Sequence, residues 1–370
     1  MSKIFVVGSG AWGTAIALSL DRRGGHQVTL WAHSPEVAQE IRAAGENLQF
    51  LPGFPLPASI AISGDCAAVR DAEIVVSVVP SEFLRATLGR LRPWLHRDQI
   101  VLSATKGLED GNCLRMTEVI AECLQTGPAA ESAASSRISG QDSGPAGKSP
   151  TTPGTLAPAD HSHLSLPVGT LSGPSFAYEV AQGQPTALTV AFSERAPAAR
   201  IRQEFASETL RLYTSTDVIG VELGGALKNV IAIAAGIAAG VGLGYNSTAA
   251  LITRGMVEIT RLAVACGGRH ETLAGLSGVG DLVLTCTGSL SRNRTVGQAL
   301  GEGRKLPEIL ESLGGKVAEG VRTTRAALGL ARRYRIEMPI TEQMELILNE
   351  GKDPREAIRA LMLRPGKDEH

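Results

Sequence analysis

The run Val6-Val7-Gly8-Ser9-Gly10-Ala11-Trp12-Gly13 constrains this chain more than any other stretch. A short apolar segment, residues 3–7, feeds three glycines spaced G-x-G-x-x-G and then a helix-like run, the order in which a strand hands over to a helix. Gly8 suits a tight turn, Gly10 keeps a Cβ out of the path of a phosphate, and Gly13 lets the helix pack closely on the strand. The helix start then aims its free N–H groups at the anion. Alone, the spacing also fits a glycine-rich turn with no ligand; its place between strand and helix favours a dinucleotide.

The residues that follow alternate as such a site requires. Residues 14–21 read as helix, Gly24-Gly25 ends it, and residues 27–31 read as a second strand, which completes a βαβ unit. Further strands are expected at 60–63, 74–79, 100–104, 168–171, 186–192 and 210–214. Helices are expected after Asp65, at 82–91 and 114–124, and from Phe176. From Asp217 onward the period is helical, with few strand signals. The expected fold is α/β: an N-terminal Rossmann-like, doubly wound, mostly parallel sheet over residues 1–216, then an all-α substrate domain over residues 217–370.

Residues 126–165 break this pattern, being mostly Ala, Ser, Gly, Pro and Thr with no aromatic residue. Such a composition buries too little apolar surface to offset ordering entropy, so the segment reads as a disordered insert. It falls between a helix and a strand, on the amino edge of the sheet. The ligand edge is a strand length away, ~17–20 Å, which makes the insert dispensable for chemistry.

A chain of 370 residues that is 43% hydrophobic can build two cores, and its net charge of -1 offers no general field to attract nucleic acid or anionic lipid. Five cysteines without a C-x-x-C pair argue against a disulfide framework and against a thiolate metal site. No metal is expected. Met1-Ser2-Lys3 runs straight into the first strand and leaves no room for an export signal, so a cytoplasmic protein is expected. The most membrane-like segment, residues 230–244, is shorter than the ~20 apolar residues of a span and rich in Ala and Gly, so it reads as an interior helix rather than a membrane insertion.

Candidate chemistry lies at strand ends and in the helical half. After the second strand the chain reads Trp31-Ala32-His33-Ser34, without the acid that NAD-selective sites place on the ribose; His33 is a contact for a 2′-phosphate or a solvated loop histidine. Lys106, beside Gly107 at a strand end, suits a substrate phosphate or lies on the surface. Lys228 and Asn229 sit in an otherwise apolar helix. Buried, Lys228 would drop from its ordinary ~10.4 towards neutrality and become a usable proton donor; otherwise it snorkels to the surface. Asp281, in Gly278-Val279-Gly280-Asp281-Leu282, orients such a lysine or caps a loop. Ser291-Arg292-Asn293-Arg294 opens a helix as a phosphate cradle or forms a solvated basic loop. One dinucleotide site, one poised lysine and one separate anion site describe a dehydrogenase of a small phosphorylated alcohol.

These blocks, with Ala104-Thr105-Lys106-Gly107-Leu108, Ser172-Gly173-Pro174-Ser175-Phe176-Ala177 and Val317-Ala318-Glu319-Gly320, resemble the bacterial NAD(P)-dependent sn-glycerol-3-phosphate dehydrogenases. The likeness covers residues 1–124 and 166–364; the insert has no counterpart in that pattern. The resemblance implies Lys228 as general acid/base, held by Asp281 and Asn229 with help from Thr285. It implies substrate and phosphate contacts at Lys106, Gly173, Ser175, Ser291, Arg292 and Asn293, beside Lys228 and Asp281. For NAD or NADP it implies Ala11, Trp12, His33, Lys106, Ala177, Arg292 and Glu319, in addition to Gly8, Gly10 and Gly13. The implied reaction reduces dihydroxyacetone phosphate to sn-glycerol 3-phosphate for glycerophospholipids, and the implied assembly is a homodimer. Two rivals share the dinucleotide turn: a 2-hydroxyacid or nucleotide-sugar dehydrogenase, and a nicotinamide sensor without catalysis.

Overall fold

Two continuous apolar runs, Ile74–Ser77 and Ile100–Ser103, are buried along their whole length in the computed structural model, as strands covered on both faces must be. The structure describes residues 1–125, 164–312, 319–366 and 368. The strands in chain order are β1 Ser2–Val7, β2 His26–Trp31, β3 Glu46–Asn47, β4 Leu51–Pro55, β5 Ile60–Ser63, β6 Ile74–Ser77, β7 Ile100–Ser103, β8 Val168–Ser172, β9 Thr186–Phe192 and β10 Leu210–Ser215. Eight of them form one sheet in the order β10-β9-β8-β7-β6-β1-β2-β5. Pairing is parallel throughout except between β8 and β9. The chain winds outward from β1 to β5 on one side and from β6 to β10 on the other, so the switch point lies between β1 and β6, where the glycine turn ends.

Helices cover both faces. Ala11–Arg23, Ala177–Ala181 and Arg195–Phe205 bury Ile16, Leu20, Val180, Ile201 and Phe205 on one face. Ser81–Leu91 and Met116–Gln125 bury Leu84, Leu88, Val119 and Ile120 on the other. Each such buried apolar side chain contributes roughly 1.5–3 kcal/mol.

The helical half is built around Val218–Gly240, 23 residues capped by the Asp217 side chain and buried from Gly220 to Ala238. Tyr245–Ala265, Asp281–Thr287, Arg292–Gly301, Glu319–Tyr334 and Pro339–Glu350 pack around it into a single core. The length argument made above for residues 230–244 does not hold, because this helix is long and apolar enough to cross a membrane. Its burial among the other helices is what marks it as a core element.

Three other expectations need correction. The hairpin of β3 and β4 was not expected, because its strands are too short to show alternation. Gly278-Val279-Gly280 is not an open loop: Leu276–Gly280 forms a π-helical turn that runs directly into the helix opening at Asp281. The insert 126–165 lies outside the described residues up to 163, but Leu164 is 5% exposed, joins the core under Ser81–Leu91 and donates its N–H to the Leu124 carbonyl at 3.4 Å. Leu164 therefore belongs to the fold and not to the insert.

Candidate active site

The cofactor side begins at the β1 turn. Gly8 adopts φ +115, a conformation that excludes an ordinary side chain, and donates its N–H to the Trp31 carbonyl. A Cβ on Gly13 would stand 1.9 Å from the Gly8 carbonyl oxygen, so only glycine lets the helix come this close. A Cβ on Gly10 would meet nothing within 4 Å. The space in front of Gly10 is thus left free by the protein, as a pyrophosphate lying on the head of helix Ala11–Arg23 requires. Ala11, Trp12 and Ala177 lie together at the rim of one apolar face.

Two residues here went unnoticed in the sequence. Asn47 is 2% exposed and donates to the Ser9 carbonyl (2.6 Å) and to Thr14 Oγ1 (2.8 Å), bracing the turn from outside. Arg90 lies over the Trp31 ring at 5.2 Å and donates to the His33 carbonyl at 3.0 Å. It brings a guanidinium to the end of β2, beside the exposed His33, where the acid is missing. Neither residue belongs to a pattern of fixed spacing, so neither could have been found by motif.

The carboxyl ends of β7 and β8 supply the next groups. Thr105 ties the ends of β6 and β7 together by donating to the Val79 carbonyl at 2.9 Å. Lys106 Nζ donates to the Gly173 carbonyl (3.1 Å) and to Asp281 Oδ2 (2.6 Å). Ser175 Oγ donates to the same Gly173 carbonyl.

The long helix meets this edge because two of its residues have no side chain. A Cβ on Gly224 would fall 2.5 Å from the Ser277 carbonyl oxygen, and one on Gly225 would fall 2.3 Å from Ser172 Oγ. One turn later stands Lys228, 6% exposed. Its Nζ donates to Asp281 Oδ1 (2.7 Å) and to Thr285 Oγ1 (2.6 Å). The Thr285 hydroxyl in turn donates to the Asp281 backbone carbonyl at 2.7 Å, which orients its lone pairs towards the lysine. Asp281 therefore holds two ammonium groups, one on each oxygen. Burial pushes Lys228 down to about 8; Asp281 opposes that shift, and the Lys106 ammonium adds to it.

Glycines also bring in the anion end. A Cβ on Gly236 would stand 2.0 Å from the Arg294 carbonyl oxygen, and one on Gly297 would stand 2.0 Å from that of Ile233, so helix Arg292–Gly301 lies directly against the long helix. Ser291 caps it by accepting from the Arg294 N–H at 3.3 Å, and Arg292 is exposed at its head. Asn293 faces inward and accepts from the Gly320 N–H at 2.9 Å. Asn229, expected to hold Lys228, instead donates to Glu319 Oε2 at 3.0 Å, because its carboxamide points to the next helix. Desolvation pushes Glu319 above the ordinary carboxylate range, against the pull of Arg292, Lys228 and Lys106.

Of the residues singled out in the sequence, Lys106, Lys228, Asp281, Thr285, Gly173 and Ser175 converge on one point. Ser291, Arg292, Asn293, Asn229 and Glu319 form the adjoining wall, while Gly8–Gly13 and His33 lie along the cofactor edge. All five cysteines are free, and burial pushes Cys286, on which the Lys228 charge acts in the opposite sense, up to about 12. No nucleophilic thiol of the nucleotide-sugar kind is offered there. Among the described residues no His, Cys, Asp or Glu cluster could hold a metal.

The profile for the NAD-dependent glycerol-3-phosphate dehydrogenase N-terminus matches residues 3–136 and 159–198, and that for the C-terminus of the same family matches residues 217–359. The chain is similar to the glycerol-3-phosphate dehydrogenase [NAD(P)+] of Acidobacterium capsulatum, with 53% identity over 100% of both chains. It is also similar to that of Koribacter versatilis, with 50% identity over 100% of this chain and 99% of the other. Among solved structures, the glycerol-3-phosphate dehydrogenase of Coxiella burnetii superposes with a TM-score of 0.84 at 35% identity, covering 98% of this chain and 99% of that one.

Proposed function

The chain belongs to the NAD-dependent glycerol-3-phosphate dehydrogenase family, and on that premise we propose that Lys228 is the proton donor of its reaction. The enzyme is an NAD(P)-dependent oxidoreductase that reduces dihydroxyacetone phosphate to sn-glycerol 3-phosphate, the backbone of glycerophospholipids. The observation that carries the reading is Lys228 itself: a buried ammonium near pH 8, fixed by Asp281 and Thr285 at the carboxyl edge of the sheet.

Residues 1–216 are the dinucleotide-binding domain and residues 217–370 the substrate domain, and each lends residues to the other's ligand. Gly8, Gly10, Ala11, Trp12 and Gly13 hold the pyrophosphate end, with His33 at the adenosine ribose and Lys106, Ala177, Arg292 and Glu319 towards the nicotinamide. When bound, the nicotinamide supplies a hydride to the ketone carbon. The Lys228 ammonium gives one proton to the carbonyl oxygen, so no free alkoxide has to form, and the neutral amine recovers its proton from solvent. Asp281 keeps the donor aimed, and Thr285 fixes its remaining direction. Asn229 acts on the site through Glu319. Lys106, Ser291, Arg292 and Asn293, with the Gly173 and Ser175 turn, take the phosphate, whose binding energy orients the distant carbonyl.

The protein works in the cytoplasm as a homodimer; the exposed Val264, Val279 and Val283 on helical elements and Leu290 in the turn after Thr287 support self-association. Light scattering that gives a monomer mass would remove the dimer. The reaction is tested by the absorbance loss of NADPH, and separately of NADH, on adding dihydroxyacetone phosphate. Loss with either is expected, and their ratio fixes the cofactor preference. Cofactor binding without loss would instead favour the sensor.

A further inference from the structure

We propose that Glu222 and Arg115 are positioning residues for this reaction: their buried contact sets the Lys106 loop on the long helix and so holds the Lys106 ammonium beside Lys228.

The loop leaves β7 with Lys106 and closes on itself through an antiparallel bridge between Leu108 and Arg115 and a bond from the Glu109 N–H to the Leu114 carbonyl. Its apolar members do not stay with the sheet. Leu108 (3% exposed) and Cys113 (9% exposed) enter the core of the helical half. At the return of the loop, Arg115 Nη1 donates to Glu222 Oε2 at 2.7 Å. The Thr117 N–H and hydroxyl donate to the same carboxylate at 2.9 and 2.5 Å. Glu118 takes the Arg115 N–H and Nη2, each at 2.8 Å. On the sheet side the loop is tied by Arg85 to Glu109.

Glu222 stands six residues before Lys228 on the same buried helix. The pair that fixes one end of the Lys106 loop is therefore rigidly related to the lysine that the other end approaches. Stability alone does not call for such a pair, since well-packed apolar residues of similar volume would serve as well or better. A guanidinium shared between two carboxylates, Nη1 on Glu222 and Nη2 on Glu118, does something apolar packing does not: its directed bonds fix register.

The consequence is electrostatic. Lys228 is faced by Asp281, Thr285 and Cys286 from one helix, by Glu319 from another with Arg292 behind it, and by Lys106 from the loop. If the loop drifts, Lys228 loses a neighbouring positive charge and gains a larger share of Asp281. Both changes favour the ammonium, so the pH above which Lys228 stops donating moves upward. Around Glu222 the charged groups are Arg115 and Glu118, with the Cys266 thiol close to both.

The inference rests on Lys228 as the proton donor, and the experiment separates the two. Steady-state reduction of dihydroxyacetone phosphate is measured across pH for the full-length wild type, Glu222→Gln, Glu222→Asp and Lys228→Ala. Glu222→Gln is expected to raise KM for dihydroxyacetone phosphate roughly three- to tenfold. It should also move the alkaline limb of kcat up by about half a pH unit. Glu222→Asp should recover part of both. If Glu222→Gln does not fold because Arg115 keeps Glu118 alone as its carboxylate partner, the double Glu222→Gln/Arg115→Gln gives the same readouts. A lower Tm with KM and the limb unmoved would make the pair a structural brace and overturn the proposal. Near-normal turnover by Lys228→Ala would remove the donor itself, whereas an inactive Lys228→Ala beside an unmoved Glu222→Gln removes only the positioning role.

Discussion

At the β1 turn the protein prepares for its ligand with backbone, whereas at Lys228 it does so with buried side-chain charge. The turn needs Gly8 at φ +115, an empty space before Gly10 and a Cβ-free Gly13, all within one short stretch of chain. The proposed catalytic cluster takes Lys106 from a strand end, Lys228 from the middle of a helix and Asp281 from the start of another, the first and the last 175 positions apart. A local site is specified by steric exclusion and tolerates almost no substitution. A distributed site is specified by packing, and its chemistry depends on how much charge that packing can bury.

That contrast can be broken most directly at Lys228. Lys228→Ala is expected to lower kcat by about 10²–10⁴-fold and to leave NADH binding, followed by fluorescence, near the wild-type value. Near-normal turnover would show that the proton comes from elsewhere. The complementary change is Gly13→Ala, which places a Cβ 1.9 Å from the Gly8 carbonyl oxygen. Overpacking of that kind costs about 1–3 kcal/mol; KM for NADH should rise by roughly tenfold or more, while KM for dihydroxyacetone phosphate changes far less. Equal effects on the two KM values would mean that the two regions are not separable.

A third prediction sharpens the electrostatic side. With Lys228 as the proposed donor, reduction requires its ammonium, whose pKa burial lowers to about 8. The reduction kcat should therefore be flat below about pH 8 and fall roughly tenfold per unit above it. Oxidation of sn-glycerol 3-phosphate requires the neutral amine and should rise through the same pH. A reduction rate that stays flat to pH 10 would contradict the lowered value.

The same contrast explains what could be read in advance. Runs such as Ile74–Ser77 and Ile100–Ser103 show their burial in their composition, and the glycine turn shows its conformation in its spacing, so the doubly wound sheet was legible strand by strand, though the run expected over 74–79 leaves the sheet after Ser77. Lys228 and Asp281 could each be singled out because a charge in an apolar helix or a carboxylate among glycines is unusual. That one carboxylate serves both Lys106 and Lys228 was not legible, because it follows from Gly224 and Gly225 letting the long helix settle on Ser277 and Ser172. Glu222 carried no local sign of its partner either, since Arg115 reaches it only after the Lys106 loop has folded back.

The smallest effect on turnover is expected from the segment that belongs to neither region. Leu124 and Leu164 are joined by a backbone hydrogen bond of 3.4 Å, so the chain leaves and re-enters the fold at one place. Residues 127–163 can then be replaced by a short Gly-Ser connection without moving helix Met116–Gln125 or β8. The splice has to spare Leu164, which the core needs. It lies at the amino edge of the sheet, about a strand length of ~17–20 Å from the carboxyl edge where Lys106 stands. Both KM values and kcat should stay within about twofold of wild type. Stability should rise, because shortening the connection by about three doublings of length removes ~0.6 kcal/mol of closure entropy per doubling. A folded deletion protein that has lost turnover would instead tie the segment to the chemistry, and the separation between the two ends of the strands would no longer describe how this enzyme is organised.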